Sequence, residues 1–395
     1  MKKVYFDHAA TTSVDPRVLK VMLPYFSRKF GNPSSVHNFG QEAAQAVEES
    51  RVKVAGFLGA DASEVFFTSG ATESDNLAIF GLAKAMKRKG GRRIITSVLE
   101  HPAVKDTCQA LKKDGFEVIE LSVDPHGIIK IEELIKAVTP ETFLVTIMYV
   151  NNEIGSVQPI AEIGRYLALI NKERTAKDLN TIYFHTDAVQ AVNLFDCQVD
   201  YLKVDLLSLS GHKIYGPKGV GALYVRKGTP LSPIQYGGHQ ERSLRPGTIN
   251  TPLIVGLGKA IELAGRSQKI DYLKLKKLSD QIINFVLKNI PRVKLNGNLK
   301  KKSPAHIDFT FDNVEGESLL LLLDQKGIAV STGSACASGS LEPSYVLRAL
   351  GLPPEKCHGS VRISLGRNNS VNEVKYFIKV LPELIKKIRA RSPLK

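Results

Sequence analysis

Short apolar runs alternate with longer amphipathic ones over the first two-thirds of the chain. Glu64–Thr68, Arg93–Val98, Leu144–Met148, Thr181–His185, Leu206–Leu209 and Gly221–Val225 are compact and rich in β-branched or aromatic residues, which predicts buried strands. Longer periodic segments lie between several of them. From Gly40 to Gly59, the residues Ala43, Ala44, Val47, Val54 and Leu58 recur at helical spacing. This alternation predicts an α/β fold, with a mostly parallel sheet covered by helices on both faces. Ligands of such sheets bind beyond the carboxyl ends of the strands.

The pattern changes near Pro252. Ile254 to Leu287 reads as one long helix, and the Lys-rich stretch Leu299 to Pro304 as an exposed turn. A strand at Ile307–Phe311, a helix at Glu315–Lys326, a strand at Val361–Ser364 and a last helix from about Asn372 follow. These predict a smaller α+β domain at the carboxyl end.

Composition narrows the class. A chain of 395 residues supports roughly two to three domains. Hydrophobic residues at 43% and charged residues at 24% exclude a disordered or fibrous protein. Only 4 Cys occur, with no CxxC spacing, so neither a disulfide scaffold nor a metal site is expected and a reducing, cytoplasmic setting is. The amino end reaches Asp7 and His8 before any apolar run, which argues against a secretory signal. Leu319–Leu323 is far too short to cross a bilayer. The net charge of +15 suits an anionic partner. Basic clusters at Lys84–Arg93 and Lys386–Arg391 lack interleaved aromatics, so they are read as solvated helix faces and direct nucleic-acid binding is not expected.

Five segments carry candidate chemistry. Thr68 to Asn76 joins a strand to a helix through Ser69, Gly70, Ala71 and Thr72. It reads either as an anion site for a phosphate or as an ordinary N-cap with Thr72 or Ser74 capping. Asp187 ends a buried strand and serves either a protonated ring nitrogen or the next helix as a cap; Gln190 points toward the same crevice. Lys213 lies among Ser210, Gly211, His212 and Gly216, where desolvation and cationic neighbours favour a nucleophilic amine, while Lys218 reads as exposed. Cys336 has only small neighbours within four residues, which predicts a mobile loop with a reactive thiol; Cys108, Cys197 and Cys357 read as structural. Arg362 interrupts an apolar strand, so it needs a carboxylate, either a ligand's or an internal one.

The order of a phosphate turn, an Asp and a Gly-flanked Lys resembles fold-type-I pyridoxal-phosphate enzymes. Asp7 to Thr12, Gly31 to His37, Thr68 to Ser74, Glu100 to Pro102, Asn151 to Gly155, Ser210 to Gly219 and Gly333 to Gly351 are similar to the motifs of cysteine desulfurases. The match is to the branch of the class-V aminotransferase family that serves nitrogen fixation and iron–sulfur assembly. The resemblance implies a large cofactor-binding domain over 15–252. It also implies a small domain made of 1–14 and 253–395, carrying a mobile Cys loop at about 329–342. It assigns Lys213 to the covalent link with pyridoxal 5′-phosphate. Ala71, Thr72, Ser210 and His212 are assigned to its phosphate, with Thr248 added from a second subunit. Asp187 is assigned to the ring nitrogen, His101 to stacking and proton relay, Asn152 and Gln190 to the phenolic oxygen, and Arg362 with Asn152 to the substrate.

The implied reaction takes sulfur from L-cysteine. Lys213 moves the Cα proton, the Cys336 thiolate attacks the substrate sulfur, and a persulfide remains as L-alanine leaves. The implied partners are a second copy of the chain and a sulfur acceptor such as an iron–sulfur scaffold, including a shared cluster contact through Cys336. The sequence ends at Lys395, whereas housekeeping members often carry a longer tail that docks the scaffold. Selenocysteine lyase or class-V aminotransferase activity is the near alternative, and a non-catalytic RNA- or partner-binding role the distant one.

Overall fold

The computed structural model describes residues 3–333 and 342–391. Twelve strands are formed among them: β1 (Val4–Tyr5), β2 (Val65–Thr68), β3 (Arg93–Ser97), β4 (Glu117–Leu121), β5 (Thr142–Thr146), β6 (Tyr183–Asp187), β7 (Leu206–Ser210), β8 (Gly221–Val225), β9 (Val293–Leu295), β10 (His306–Phe311), β11 (Ile328–Ala329) and β12 (Ser360–Ser364). Seven of them make the main sheet, in the order β2-β8-β7-β6-β5-β3-β4. Its pairs are parallel except at β8, which runs against both β7 and β2.

Strands β5, β7 and β8 are buried along their whole length, which is why they read as continuous apolar runs. Helices cover both faces. On one face Phe67, Val145, Phe184, Leu207 and Leu209 join a core with α1 (Asn38–Leu58). On the other, Phe66, Leu144, Leu206 and Leu223 pack against α2 (Ala71–Lys87) and α3 (Pro102–Lys113). A further helix, α4 (Ile160–Ala176), adds Ile160, Ile163 and Leu167 to the first core.

A second core surrounds the antiparallel sheet β12-β10-β9 and the parallel pair β1-β11. The 39-residue helix α5 (Thr251–Asn289) serves both cores. Its Leu257 and Ile261 enter the first, and its Leu275, Ile282 and Val286 the second. At about 1.5 Å per residue it is roughly 58 Å long. Helices α6 (Gly316–Gln325) and α7 (Val371–Arg391) close the second core.

Three expectations need adjustment. The strand expected at Leu144–Met148 begins and ends two residues earlier, as β5 over Thr142–Thr146. The strand expected at Thr181–His185 begins and ends two residues later, so Asp187 is its final residue rather than lying beyond it. The Lys-rich turn is not wholly exposed: the Lys302 amine is buried with no hydrogen-bond partner among the described residues, and burial pushes its pKa down to about 7. No helix among the described residues is long and apolar enough to cross a membrane.

Candidate active site

The carboxyl ends of β2, β6 and β7 converge on one cavity of about 470 Å³. That size falls within the roughly 300–1,000 Å³ typical of small-molecule sites. Strand β2 passes into α2 through Ser69 and Gly70. Gly70 has φ 155° and caps α2 without any side-chain hydrogen bond, so the capping alternative for Thr72 and Ser74 is not realised. The Ser74 hydroxyl instead bonds within the turn, 2.8 Å from Thr68 Oγ1. The first amides of α2 are left to an anion, which the helix dipole favours. Strand β8 presses close behind this turn: a Cβ on Gly221 would lie 2.8 Å from the Gly70 backbone. Only glycine fits there.

Asp187 ends β6 on the cavity floor. Its Oδ1 accepts the Val189 amide at 2.9 Å. Burial raises its pKa, while His101 and Lys213 draw it back down. On the neighbouring strand, the turn after β7 presents Lys213, whose Nζ donates to the Ala9 carbonyl and, at 2.9 Å, to the Ala10 carbonyl. His212 Nδ1 lies 3.1 Å from Thr11 Oγ1, and burial and Lys213 push its pKa down to about 4. His101 caps α3: its Nδ1 accepts the Ala103 amide at 3.2 Å. Burial lowers the pKa of His101, favouring the neutral ring with its proton on Nε2. Gln190 donates to the Ala9 carbonyl at 3.0 Å, and its Oε1 lies 3.2 Å from His306 Nε2.

The cavity wall therefore gathers Ala71, Thr72, His101, Asn152, Asp187, Gln190, Ser210, His212 and Lys213. Thr248 is not among its lining residues and is exposed. Lys218 is exposed at the rim, as expected. Arg362 is 1% exposed and does not line the cavity; its Nη2 is 2.9 Å from Asp7 Oδ1, and its Nη1 donates to the Asn152 carbonyl at 3.2 Å. The internal ion pair is thus present, and any substrate carboxylate must share the guanidinium with Asp7. Cys336 and most of the loop around it lie outside the described residues. Cys108, Cys197 and Cys357 are buried free thiols whose pKa values burial raises, Cys108 to about 12. Among the described residues no cluster of His, Cys, Asp or Glu could hold a metal ion.

Several buried acids escaped the sequence reading. Asp75 lines the cavity, and its Oδ1 is 3.5 Å from His185 Nε2. Burial and the Asp187 charge push its pKa well above the carboxylate range, so the pair favours one proton on Asp75 and the charge on Asp187. A signal existed: Asp75 falls on the same stripe of α2 as Ala78, Ile79 and Leu82, the face turned to the sheet. Glu153 accepts the Ser344 hydroxyl at 2.6 Å, and a Cβ on Gly333 would meet it at 2.7 Å, so it braces the amino-terminal approach to the Cys336 segment.

Glu100 is raised to about 8 by burial, with Ser97 and the Met148 amide as its partners. An acid whose folded pKa exceeds its unfolded one binds its proton more tightly in the native state. Its stabilising contribution is complete below the unfolded pKa of about 4.5 and is lost as pH rises through about 8. Glu100→Gln is therefore expected to flatten the fall in melting temperature between pH 5 and about 8; an unchanged slope in pH-resolved thermal melts would contradict this.

A cavity that pairs a lysine amine with a buried acid, beside a helix start that has no side-chain cap, fits pyridoxal 5′-phosphate in charge and in donor set. Fold and cavity together define an enzyme of the fold-type-I pyridoxal-phosphate class. Comparison with known proteins agrees. Residues 4–377 match the aminotransferase class-V family. Over 393 residues the chain is 51% identical to the cysteine desulfurase IscS of Methanosarcina thermophila, spanning all of this chain and 94% of that protein. It is 48% identical to the IscS of Clostridium botulinum strain Hall, spanning all of this chain and 97% of that one. A solved NifS-like protein superposes with a TM-score of 0.90 at 39% identity, covering 98% of this chain and 100% of that one. The chain belongs to the class-V aminotransferase family and, within it, to the cysteine desulfurases.

Proposed function

We propose that this chain uses pyridoxal 5′-phosphate to remove sulfur from L-cysteine, leaving a persulfide on Cys336 and releasing L-alanine. The persulfide sulfur then passes to an acceptor that builds iron–sulfur clusters or other thio-cofactors. One observation carries the reading: Asp187, which ends β6, and Lys213, in the turn that follows adjacent β7, line a single cavity next to the start of α2, which has no side-chain cap.

In this reading the α2 amides at Ala71 and Thr72, with Ser210 and His212, hold the phosphate. Asp187 keeps the ring nitrogen protonated, and the cation it meets offsets the cost of burying that carboxylate. His101 covers the ring, while Asn152 and Gln190 bond its phenolic oxygen. Bound there, the cofactor supplies an electron-accepting ring that stabilises negative charge at the substrate Cα. Lys213 moves the Cα proton. Arg362 receives the substrate carboxylate, sharing its guanidinium with Asp7 at Nη2 and with the Asn152 carbonyl at Nη1, while its Nε is buried without a partner among the described residues. Residues 15–252 would form the cofactor unit, with 1–14 and 253–395 as the unit bringing Arg362 and Cys336. The free thiols suit the reducing cytoplasm.

The reading includes a homodimer. Leu23, Phe26, Phe30, Val36 and Phe39 are all exposed, Phe30 by 66%, and such a concentration of apolar side chains in one short stretch suits burial against a second copy. Exposed Thr248 would then complete the partner's phosphate site. The direct test incubates the purified protein with L-cysteine and a thiol reductant and assays both products. Alanine and sulfide are expected in equal amounts; sulfide without alanine would overturn the proposal.

A further inference from the structure

The segment that carries Thr248 is held by an unusual anchor. Glu241, Arg242 and Ser243 have φ of 44°, 55° and 64°, three successive left-handed residues without a glycine among them. L-residues resist that conformation, so something must hold it. Glu241 supplies the hold. Its side chain is only 3% exposed, and it receives both terminal nitrogens of Arg51 at 2.8 Å. The same carboxylate accepts the Phe67 amide at 2.8 Å, inside β2 and just before the phosphate turn. Arg51 also donates to the Val65 carbonyl at 2.8 Å and stacks over the Phe67 ring at 4.7 Å.

A second tie runs parallel to the first. Arg245 bonds Glu73 at 2.8 Å, and Glu73 in turn accepts the Ser69 amide at 2.7 Å. Downstream, the Gly247 amide donates to Gln240 at 3.0 Å, and Thr248 emerges exposed, away from the chain's own cavity. The strained turn is therefore bolted to the strand and helix that form this chain's phosphate turn, while its tip points elsewhere.

We propose that Glu241, gripped by Arg51 and the Phe67 amide, is a positioning residue that aims Thr248 at the phosphate of the partner subunit's cofactor. Its effect is exerted on the partner's site rather than its own. The inference rests on the shared-site dimer above and goes beyond it. The bond to the Phe67 amide ties the loop to the rigid main sheet of its own chain, and that fixed base sets the loop's reach toward the partner's site.

Hybrid dimers separate the possibilities. In the first, one chain carries Glu241→Gln together with Lys213→Ala and its partner is wild type, so the only intact Lys213 receives the altered loop. In the second, Glu241→Gln and Lys213→Ala sit on opposite chains, so the intact Lys213 receives a native loop. Loss of cofactor absorbance at Lys213 to a pyridoxal-phosphate scavenger is followed in each, against a reference dimer of wild type with Lys213→Ala. Losing one charge-assisted bond predicts about tenfold faster loss in the first hybrid. The second should match the reference.

Arg51→Lys, which keeps the charge but not the fork, should give the same pattern more weakly. A defect confined to the second hybrid, or absent from both, overturns the proposal. Thr248→Ala in the same two arrangements tests the underlying reading. If Thr248→Ala is silent in both, the shared site itself fails and the proposal with it. If Thr248→Ala acts across the dimer while Glu241→Gln does not, only the proposal fails.

Discussion

Lys213→Ala is expected to leave a folded, colourless protein whose desulfuration falls by at least about 10⁴-fold, the scale of losing a covalent anchor and a proton-transfer group together. Two lysines line the cavity, Lys213 and Lys218. They are not equivalent. Lys213 lies in the turn Gly211–Lys213 that follows β7 and is half-buried; its amine donates to the carbonyls of Ala9 and Ala10, and its charge lowers the pKa of Asp187. Lys218 is exposed at the rim, where water competes for its amine. A visible spectrum of the purified variant, with and without added pyridoxal 5′-phosphate, decides the matter. Persistent covalent absorbance in Lys213→Ala would move the anchor to Lys218. Loss of colour in Lys218→Ala alone would do the same.

Cys336→Ala is expected to separate cofactor chemistry from sulfur transfer. The variant should keep its absorbance and still bind L-cysteine, yet produce sulfide and alanine at a small fraction of the wild-type rate. The argument is chemical. Cleaving the Cβ–S bond requires an acceptor for the sulfur, and among the four cysteines three are buried with pKa values raised by burial, which makes them poor nucleophiles. Replacing Cys336 thus leaves no second thiol to take over. Mass spectrometry of the wild-type chain after brief exposure to cysteine should find one extra sulfur on the peptide containing Cys336. Full desulfuration by Cys336→Ala would overturn its role and favour an aminotransferase-like or lyase-like chemistry.

Local pattern revealed what local physics determines. Strands buried on both faces write themselves as apolar runs, so β7 and β8 were legible almost to the residue. Edge strand β4 was not, because exposed Glu117 and half-buried Glu120, which pairs with Gln109 and Lys112, break the run. The phosphate turn, Asp187 and Lys213 were legible because each stands at a strand end, where a change of pattern marks the site. The partners of buried charges were not. Arg362 announced a need for a carboxylate, yet Asp7 lies 355 residues away along the chain. Arg51 and Glu241 are 190 apart, and each looks like an ordinary surface charge when read alone. Only the fold brings such pairs together, and a single sequence holds no trace of it.

The amino-terminal strand β1 and the residues after it have a consequence for biosynthesis. Val4 and Phe6 pack in the second core, Phe6 and His8 exchange backbone bonds with Ser364, and Thr12 bonds the His212 carbonyl. Residues 4–12 are thus a seam much of whose other edge, at Arg362 and Ser364, lies 355 or more residues further along the chain. Until β12 has emerged, Asp7 has no Arg362 to meet, and Phe6 and Val4 have no core to enter. At about 5–20 residues per second, that wait lasts tens of seconds. During it Val4 and Phe6 are open to chaperones, and the Arg362 contacts to Asp7 and to the Asn152 carbonyl form only once β12 has been made.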